Sequence, residues 1–506
     1  MKKHKKNIQQ ILILGGGTAG WMAAAALVNN PLFAAIKICL VESANIGTIG
    51  VGEGSTPHLK RFMDKLGICE ADWMEKCHAS YKTGIDFINW NGDGQQYFHP
   101  FYFQLDVKPA EVFFVNANAR RRGQGDAVQP DDFFSSGVLA KHNLSPRPQR
   151  ELPFTNEYGY HFDATQLANY LKEYACKRGV LHIIGDVISV SQHNNHDINS
   201  LTLASGQRLD ADFFIDASGF NAQLMHKNLN VPFQSFAEAL LNDSAVTVPV
   251  DLNSTPDALF AKYHTRATAL GAGWLWQIPL AHRIGNGYVY SSRHICAQTA
   301  TKTLLHHLNL SESTPVRHLK MRVGVSEKAW HNNVLAIGLA QSFIEPLEAT
   351  SIMVTQFTLE RFMALFERYQ LNKQAETLSR QTLNQSVMQL VLGVKDYIQA
   401  HYVTSKRSDS NYWQDARNVV ISLRLKQLLQ AWHRGEDFDF QLYKYDQQLA
   451  YFRPSWYSLL AGMDFRDPQL KLPFKPISAE ITAQAKSYCA AIVNHYFGPY
   501  NTTQNT

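Results

Sequence analysis

The sequence predicts an α/β fold that opens with a dinucleotide-binding module, continues through a mixed sheet and ends in a mostly helical region. Three observations predict it. The apolar run QILIL at 10–14 passes directly into Gly15-x-Gly17-x-x-Gly20 and an alanine-rich stretch, AGWMAAAALVNN. A second apolar run, AIKICLV, stops on Glu42, completing a βαβ unit and implying a parallel sheet. Beyond about residue 355, apolar positions recur at helical spacing.

Taken in order, QILIL reads as a buried strand, and the helix after it ends near Asn30-Pro31. STPHLKRFMDKLGI at 55–68 reads as a helix capped by Ser55 or Thr56, with Pro57 in its first turn. DATQLANYLKEYACKRG reads as another, with Asp163 as cap and Gly179 as stop. Strands are expected at VLHIIGDVISVSQH, SLTLASGQ and RLDADFFIDASG, with a hairpin turn at Ser205-Gly206. GAGWLWQIPL and GYVYSS read as an antiparallel pair, NVLAIGLAQSF as a buried strand and SIMVTQFTLERFMALFERY as a long helix. The stretch 100–150 reads as irregular, and NYWQDARNVVISLRLKQLLQAWHRG is the clearest amphipathic segment of the tail. The expected organisation is a discontinuous dinucleotide module with interleaved pocket segments over 1–355 and a helical part over 356–506.

Bulk properties narrow the function. With 48 Lys plus Arg against 43 Asp plus Glu, the formal charge of +5 comes partly from the opening MKKHKK, and no basic face or nucleic-acid module accompanies it. The six Cys lack CxxC spacing, which disfavours a disulfide framework or a metal cluster and fits a reducing cytoplasm. His58, His78 and His99 have no ligand spacing, so no metal is expected. No apolar run of about 18 residues is long enough to span a membrane. The basic start followed by an apolar stretch resembles an export signal, but the three Gly in its middle fit a nucleotide turn better.

In the glycine motif, Gly15 permits the tight turn, Gly17 admits a pyrophosphate to the backbone and Gly20 lets helix and strand pack closely. Thr18 and Ala19 open the helix, whose unpaired N–H groups attract phosphate. Glu42, at the end of the second strand, can accept both ribose hydroxyls, which argues against a 2′-phosphate and NADPH. The motif alone does not separate FAD from NAD. GTIGVGEGSTP, with Gly50, Gly54, Ser55 and Thr56, favours FAD as a flexible polar segment able to lie along a large planar cofactor. Asp216 in FFIDASG is a second candidate approach to it. Trp274 and Trp276, two apart in a strand, place both indoles on one face, as core packing or as an aromatic wall beside the cofactor.

Together GGGTAGW, GEGSTP, GWLWQIP and FIEPLEAT resemble the flavin-dependent tryptophan halogenase family over most of the chain. That resemblance implies an FAD-binding, flavoprotein monooxygenase-like fold. It implies that Trp274, Trp276, Ile278 and Pro279 wall the flavin off from the organic substrate. It implies a catalytic lysine at Lys82, donating to hypohalous acid or carrying the halogen as a haloamine, and an active-site glutamate at Glu348. Halide would bind at Thr350 and Ser351, where the family usually has Gly at the second position; a conformation needing positive φ would be strained by Ser351. His99, Phe101 and Trp456 would line the substrate pocket.

The implied activity is FADH2- and O2-dependent halogenation, with chloride or bromide, of an electron-rich, indole-like aromatic. With one dinucleotide fingerprint in the chain, a separate flavin reductase would supply reduced FAD. LAYFRPSWYSLLAGMDF departs from the segment that grips the backbone of free tryptophan, so the ring rather than the amino acid is the expected handle. The alternatives are a single-component aromatic hydroxylase, whose substrate would have to reach the flavin past the indoles, and a non-catalytic flavin-binding protein. The oligomeric state stays open, a homodimer being the one assembly entertained.

Overall fold

A computed structural model describes residues 8–45, 47, 52–92, 94–154, 156–252 and 263–498. It has the α/β architecture expected, built on two large sheets. The first has six strands in the order Trp330–His331, Val334–Ala336, Phe213–Asp216, Gln10–Leu14, Lys37–Glu42, Leu181–Ile184. All its neighbours run parallel except the first pair. Leu14 is in register with both Val41 and Asp216, so the strand ends beside the glycine turn are level. The helix Thr18–Asn29 packs over this sheet through a continuous run of buried residues from Gly20 to Leu27.

The second sheet has seven strands, ordered Arg317–Lys320, Ser244–Asp251, Arg283–Tyr290, Gly273–Pro279, Thr265–Leu270, Gly84–Ile88, Gln96–Pro100. It is mixed: Thr265–Leu270 runs parallel to Gly84–Ile88 and antiparallel to Gly273–Pro279. A small three-stranded sheet, Gly52–Gly54, Gly159–Asp163 and Ser80–Lys82, bears on the site. The C-terminal region is helical, led by Ser351–Tyr369 and the 31-residue helix Lys373–Val403. No helix among the described residues is long and apolar enough to cross a membrane.

Several elements differ from expectation. The helix expected over 55–68 begins at His58 after Pro57, with no side-chain cap. Ser55 Oγ instead accepts from Tyr160 N at 3.0 Å, and Thr56 Oγ1 lies 3.3 Å from His58 Nδ1. Asp163, by contrast, caps its helix, accepting from Thr165 N and Gln166 N. The stretch 100–150 holds the 15-residue helix Val107–Arg121, which buries Pro109, Ala110, Phe113, Phe114 and Ala117 along one face. Its proline sits in the first turn, where a missing N–H costs nothing. VLHIIGDVISVSQH breaks at Gly185-Asp186 into strands of two different sheets. NVLAIGLAQSF is likewise a short strand, a 3-10 turn at Gly338–Ala340 and a second short strand in another sheet. The amphipathic 411–435 segment is two helices, Asn411–Arg417 and Leu423–His433. Ser422 caps the second by accepting from Leu425 N.

Candidate active site

A cavity of about 570 Å³ runs from the glycine turn to Lys82. Its first end is lined by Gly15, Gly16, Gly17, Thr18, Ala19 and Glu42. Gly15 has φ 114°, and a Cβ there would fall 2.3 Å from Ala217 O, so both conformation and space require glycine. A Cβ at Gly17 would meet nothing within 4 Å, which leaves its backbone open to a ligand. Gly17 begins the helix with no side-chain cap, so the first-turn N–H groups are available there. Glu42 Oε1 accepts from His182 Nε2 at 2.7 Å, which fixes the carboxylate at the strand end. Volume, open N–H groups and a fixed carboxylate together fit a dinucleotide cofactor.

Some expected contributors sit elsewhere. Asp216 is fully buried and does not line the cavity. Its carboxylate is taken up by Ser218 N and Oγ, Leu224 N and Met225 N, so it shapes the turn rather than facing a ligand. Ser55 and Thr56 are not among the lining residues, whereas Gly54 and the neighbouring Glu53 are. Burial, followed by the charge of Asp163, pushes the Glu53 carboxyl up to about 7. Gly50 lies outside the described residues.

Lys82 also lines the cavity and is only 1% exposed. Its strand pairs with Gly159–Asp163, which also pairs with Gly52–Gly54. A Cβ at Gly54 would come 3.2 Å from Lys82 Nζ, so glycine makes room for the amine. The Phe101 ring centroid lies 5.7 Å from the same nitrogen. Burial pulls the Lys82 ammonium down to about 8, against the opposing charge of Glu348. His161 stands close by: Ser80 Oγ donates to Pro279 O at 2.5 Å and faces His161 Nδ1 at 3.1 Å, while Thr265 Oγ1 faces Nε2 at 2.9 Å. Pro279 therefore ties the indole strand to the lysine strand through its carbonyl; it does not line the cavity, although Ile278 does.

Glu348 ends a 3-10 turn, Pro346–Glu348, and is 4% exposed. His99 Nδ1 donates to both its oxygens at 2.9 Å, and His401 Nε2 lies 3.2 Å from Oε1. Burial acts to raise this carboxyl, but the combined pull of His99 and His401 outweighs it and holds the group well below the usual carboxylate range. His401 carried no sequence signal; it lies inside a long helix and reads as a helical core position.

Trp274 and Trp276 both line the cavity, with ring centroids 6.1 Å apart. Trp276 lies flat across Gly287 of the adjacent strand, where a Cβ would come 2.1 Å from the ring. Trp274 Nε1 donates to Glu345 Oε2 at 2.7 Å, which also accepts from Tyr402 OH at 2.7 Å and Asn242 Nδ2 at 2.8 Å. Glu345 is the anchor of the indole wall, a role not read from the sequence. Its only signal was a second carboxylate three residues before Glu348. Glu345→Ala strands the Trp274 and Tyr402 donors, Asn242 Nδ2 keeping the Tyr402 hydroxyl, and is expected to cost about 3 kcal/mol of stability, whereas Glu345→Gln keeps an acceptor and costs about 1 kcal/mol. Urea denaturation checks this; equal losses in the two variants would remove the anchoring role.

At the start of the helix Ser351–Tyr369, the left-handed residue is Ala349 at φ 55°, not Ser351. The strain expected at Ser351 therefore falls two residues earlier, because Ser351 is already helical. Thr350 and Ser351 border a void of about 10 Å³, enough for one water-sized particle. Trp456 is fully buried and packs edge-on against Tyr397 at 5.0 Å, while His99 lies 5.9 Å from the same ring. His99, Phe101, Trp456 and Glu348 do not line the large cavity, whereas Lys82 does, with the Phe101 ring 5.7 Å from its Nζ.

Fold and cavity fit an enzyme that uses a dinucleotide cofactor. The tryptophan halogenase family model matches residues 10–474, and the chain belongs to that family and so to the flavin-dependent halogenases. It is 34% identical over 444 residues to the 7-chloro-L-tryptophan 6-halogenase KtzR of Kutzneria sp. (strain 744), covering 83% of this chain and 84% of the relative. It is 33% identical to the tryptophan 7-halogenase RebH of Lentzea aerocolonigenes over 90% of this chain and 89% of that one. A solved flavin-dependent halogenase from Xanthomonas campestris superposes with a TM-score of 0.84 at 29% identity, over 98% of this chain and 99% of that one.

Proposed function

We propose that this enzyme uses reduced FAD, O2 and chloride or bromide to halogenate an electron-rich, indole-like ring. The observation that carries the reading is Lys82, buried at the end of the cofactor cavity with Glu348 outside that cavity. Reduced flavin, when bound, supplies the electrons with which O2 oxidises halide to hypohalous acid. Gly15–Ala19 and Glu42 hold that cofactor, delivered by a separate reductase. Thr350 and Ser351, beside the water-sized void at a helix start, hold the halide. Trp274, Trp276 and Ile278 keep the organic ring off the flavin.

The chemistry on the substrate side belongs to Lys82 and Glu348. Lys82 Nζ donates to the oxygen of hypohalous acid and makes that oxygen a better leaving group. The ring carbon attacks the halogen, the halogen–oxygen bond breaks, the leaving oxygen takes a proton from Lys82 and departs as water, and the ring proton passes to a Glu348 oxygen; exchange with solvent then restores both side chains. Glu348 is a weak base because its carboxyl is held low, but the cationic ring is a strong acid, so negative charge matters more than basicity. Product formation is expected to fall as pH rises through about 8, where the Lys82 ammonium is lost. A rate that climbed through that range would assign the neutral amine instead.

The substrate is a ring without a required amino-acid backbone. Arg453, at the start of the helix Arg453–Gly462, is committed to Asp439 at 2.8 Å and Glu111 at 2.5 Å rather than free to take a carboxylate. A site that paired both charged groups of tryptophan would reject indole strongly, with those polar groups left unpaired. The test is bromination kcat/KM for indole against L-tryptophan at matched reduced-flavin supply. A tryptophan advantage of about a thousandfold or more would contradict this substrate class.

A further inference from the structure

Lys82 lines the large cavity, whereas Tyr397 does not and is packed by the protein's own rings. Tyr451 stacks on Tyr397 with centroids 3.8 Å apart and planes 15° from parallel, the arrangement an aromatic guest would adopt. The two rings are held very differently. Tyr397 lies on the long helix, its hydroxyl donating to Ser455 O at 2.9 Å, with Trp456 against its edge. The Tyr451 hydroxyl is buried without a hydrogen-bond partner, as is that of Tyr97. The backbones of Ala450 and Tyr451 make no hydrogen bond to any described residue, and the following Phe452 is 73% exposed. This strap joins the turn Asp446–Gln448 to the helix Arg453–Gly462. Swinging Tyr451 outward breaks the stack and a looser contact with the His99 ring at 6.4 Å, and it returns an unpaired hydroxyl to water, which favours its release.

We propose that Tyr451 sets substrate admission: its ring fills the aromatic subsite on the face of Tyr397, and a substrate ring enters by replacing it. This rests on the halogenase reading and names the place its aromatic substrate takes. The Tyr451 ring lies 6.4 Å from that of His99, whose Nδ1 donates to Glu348, so the replaced ring is one residue removed from the reactive carboxylate. Because the free enzyme holds the subsite closed, apparent affinity is lowered by the fraction of molecules that are open.

Indole binding to the FAD-loaded protein, measured by calorimetry, tests this without any turnover. Tyr451→Ala is expected to tighten the Kd for indole at least fivefold, and Tyr451→Trp, with a larger plug, to weaken it at least fivefold. FAD absorbance and melting temperature report whether each variant is folded. A crystal structure of the wild-type indole complex decides the matter if one is not, with indole face to face on Tyr397 and Tyr451 displaced. Affinities within twofold of wild type, weaker binding by the Ala variant, or Tyr451 still stacked on Tyr397 beside bound indole would overturn the proposal. A displaced Tyr451 in a protein that gives no halide-dependent product would leave the plug intact and overturn only the halogenase reading.

Discussion

Lys82→Ala is expected to lower halogenated product by at least about 10²-fold while FAD binding and reoxidation of reduced flavin stay at the wild-type level. The separation follows from position. The glycine turn and Lys82 line one cavity from separate segments, and the amine lies by Gly54 and the Phe101 ring. The oxidant would still form but would meet no donor before reaching the ring, and free hypohalous acid would leak. A scavenger in the assay removes that leaked fraction. Stability gives a second check, because this ammonium is buried at a cost. Its folded-state value of about 8 lies below the ordinary 10.5, so the native protein sheds the proton first as pH rises. Stability of the FAD-free protein is therefore expected to rise through that window, and Lys82→Ala is expected to remove this contribution. Equal product from wild type and variant, with scavenger present, would exclude the lysine.

Glu348→Gln is expected to lower kcat by roughly 10²–10⁴ with little change in substrate affinity. The amide keeps the size and one acceptor oxygen, so His99 retains a partner. What is lost is the charge that opposes the positive ring, and that charge matters only once the halogen has added. The carboxylate is secured by two histidines from distant segments: His99 on the strand Gln96–Pro100 and His401 near the end of the helix Lys373–Val403. A change confined to the Kd for substrate would make Glu348 a binding residue instead.

Much of the cofactor side was legible in the sequence because its parts are local. A strand, three spaced glycines, a helix and a terminal Glu42 lie within 33 residues and fold as one unit. Trp274 and Trp276 were legible for the same reason, since strand alternation alone puts both on one face. Asp216 was misread because a strand ending in Asp-x-Ser-Gly looks like an approach to a ligand, whereas its oxygens close the turn on themselves. What holds the site together was not legible. Trp274, Asn242 and Tyr402 meet on Glu345, and His401 meets Glu348, across long sequence separations. Tyr451 was hidden for another reason: its stack on Tyr397 depends on how a loop lies against a helix, which no periodicity encodes.

The measurement that tests the central claim most directly is the product formed from indole with reduced FAD and O2, with and without bromide, identified by mass spectrometry. The account predicts bromoindole that requires bromide and disappears in Lys82→Ala. An oxygenated indole formed equally well without halide would contradict it, because that product requires the ring to reach the flavin past Trp274 and Trp276.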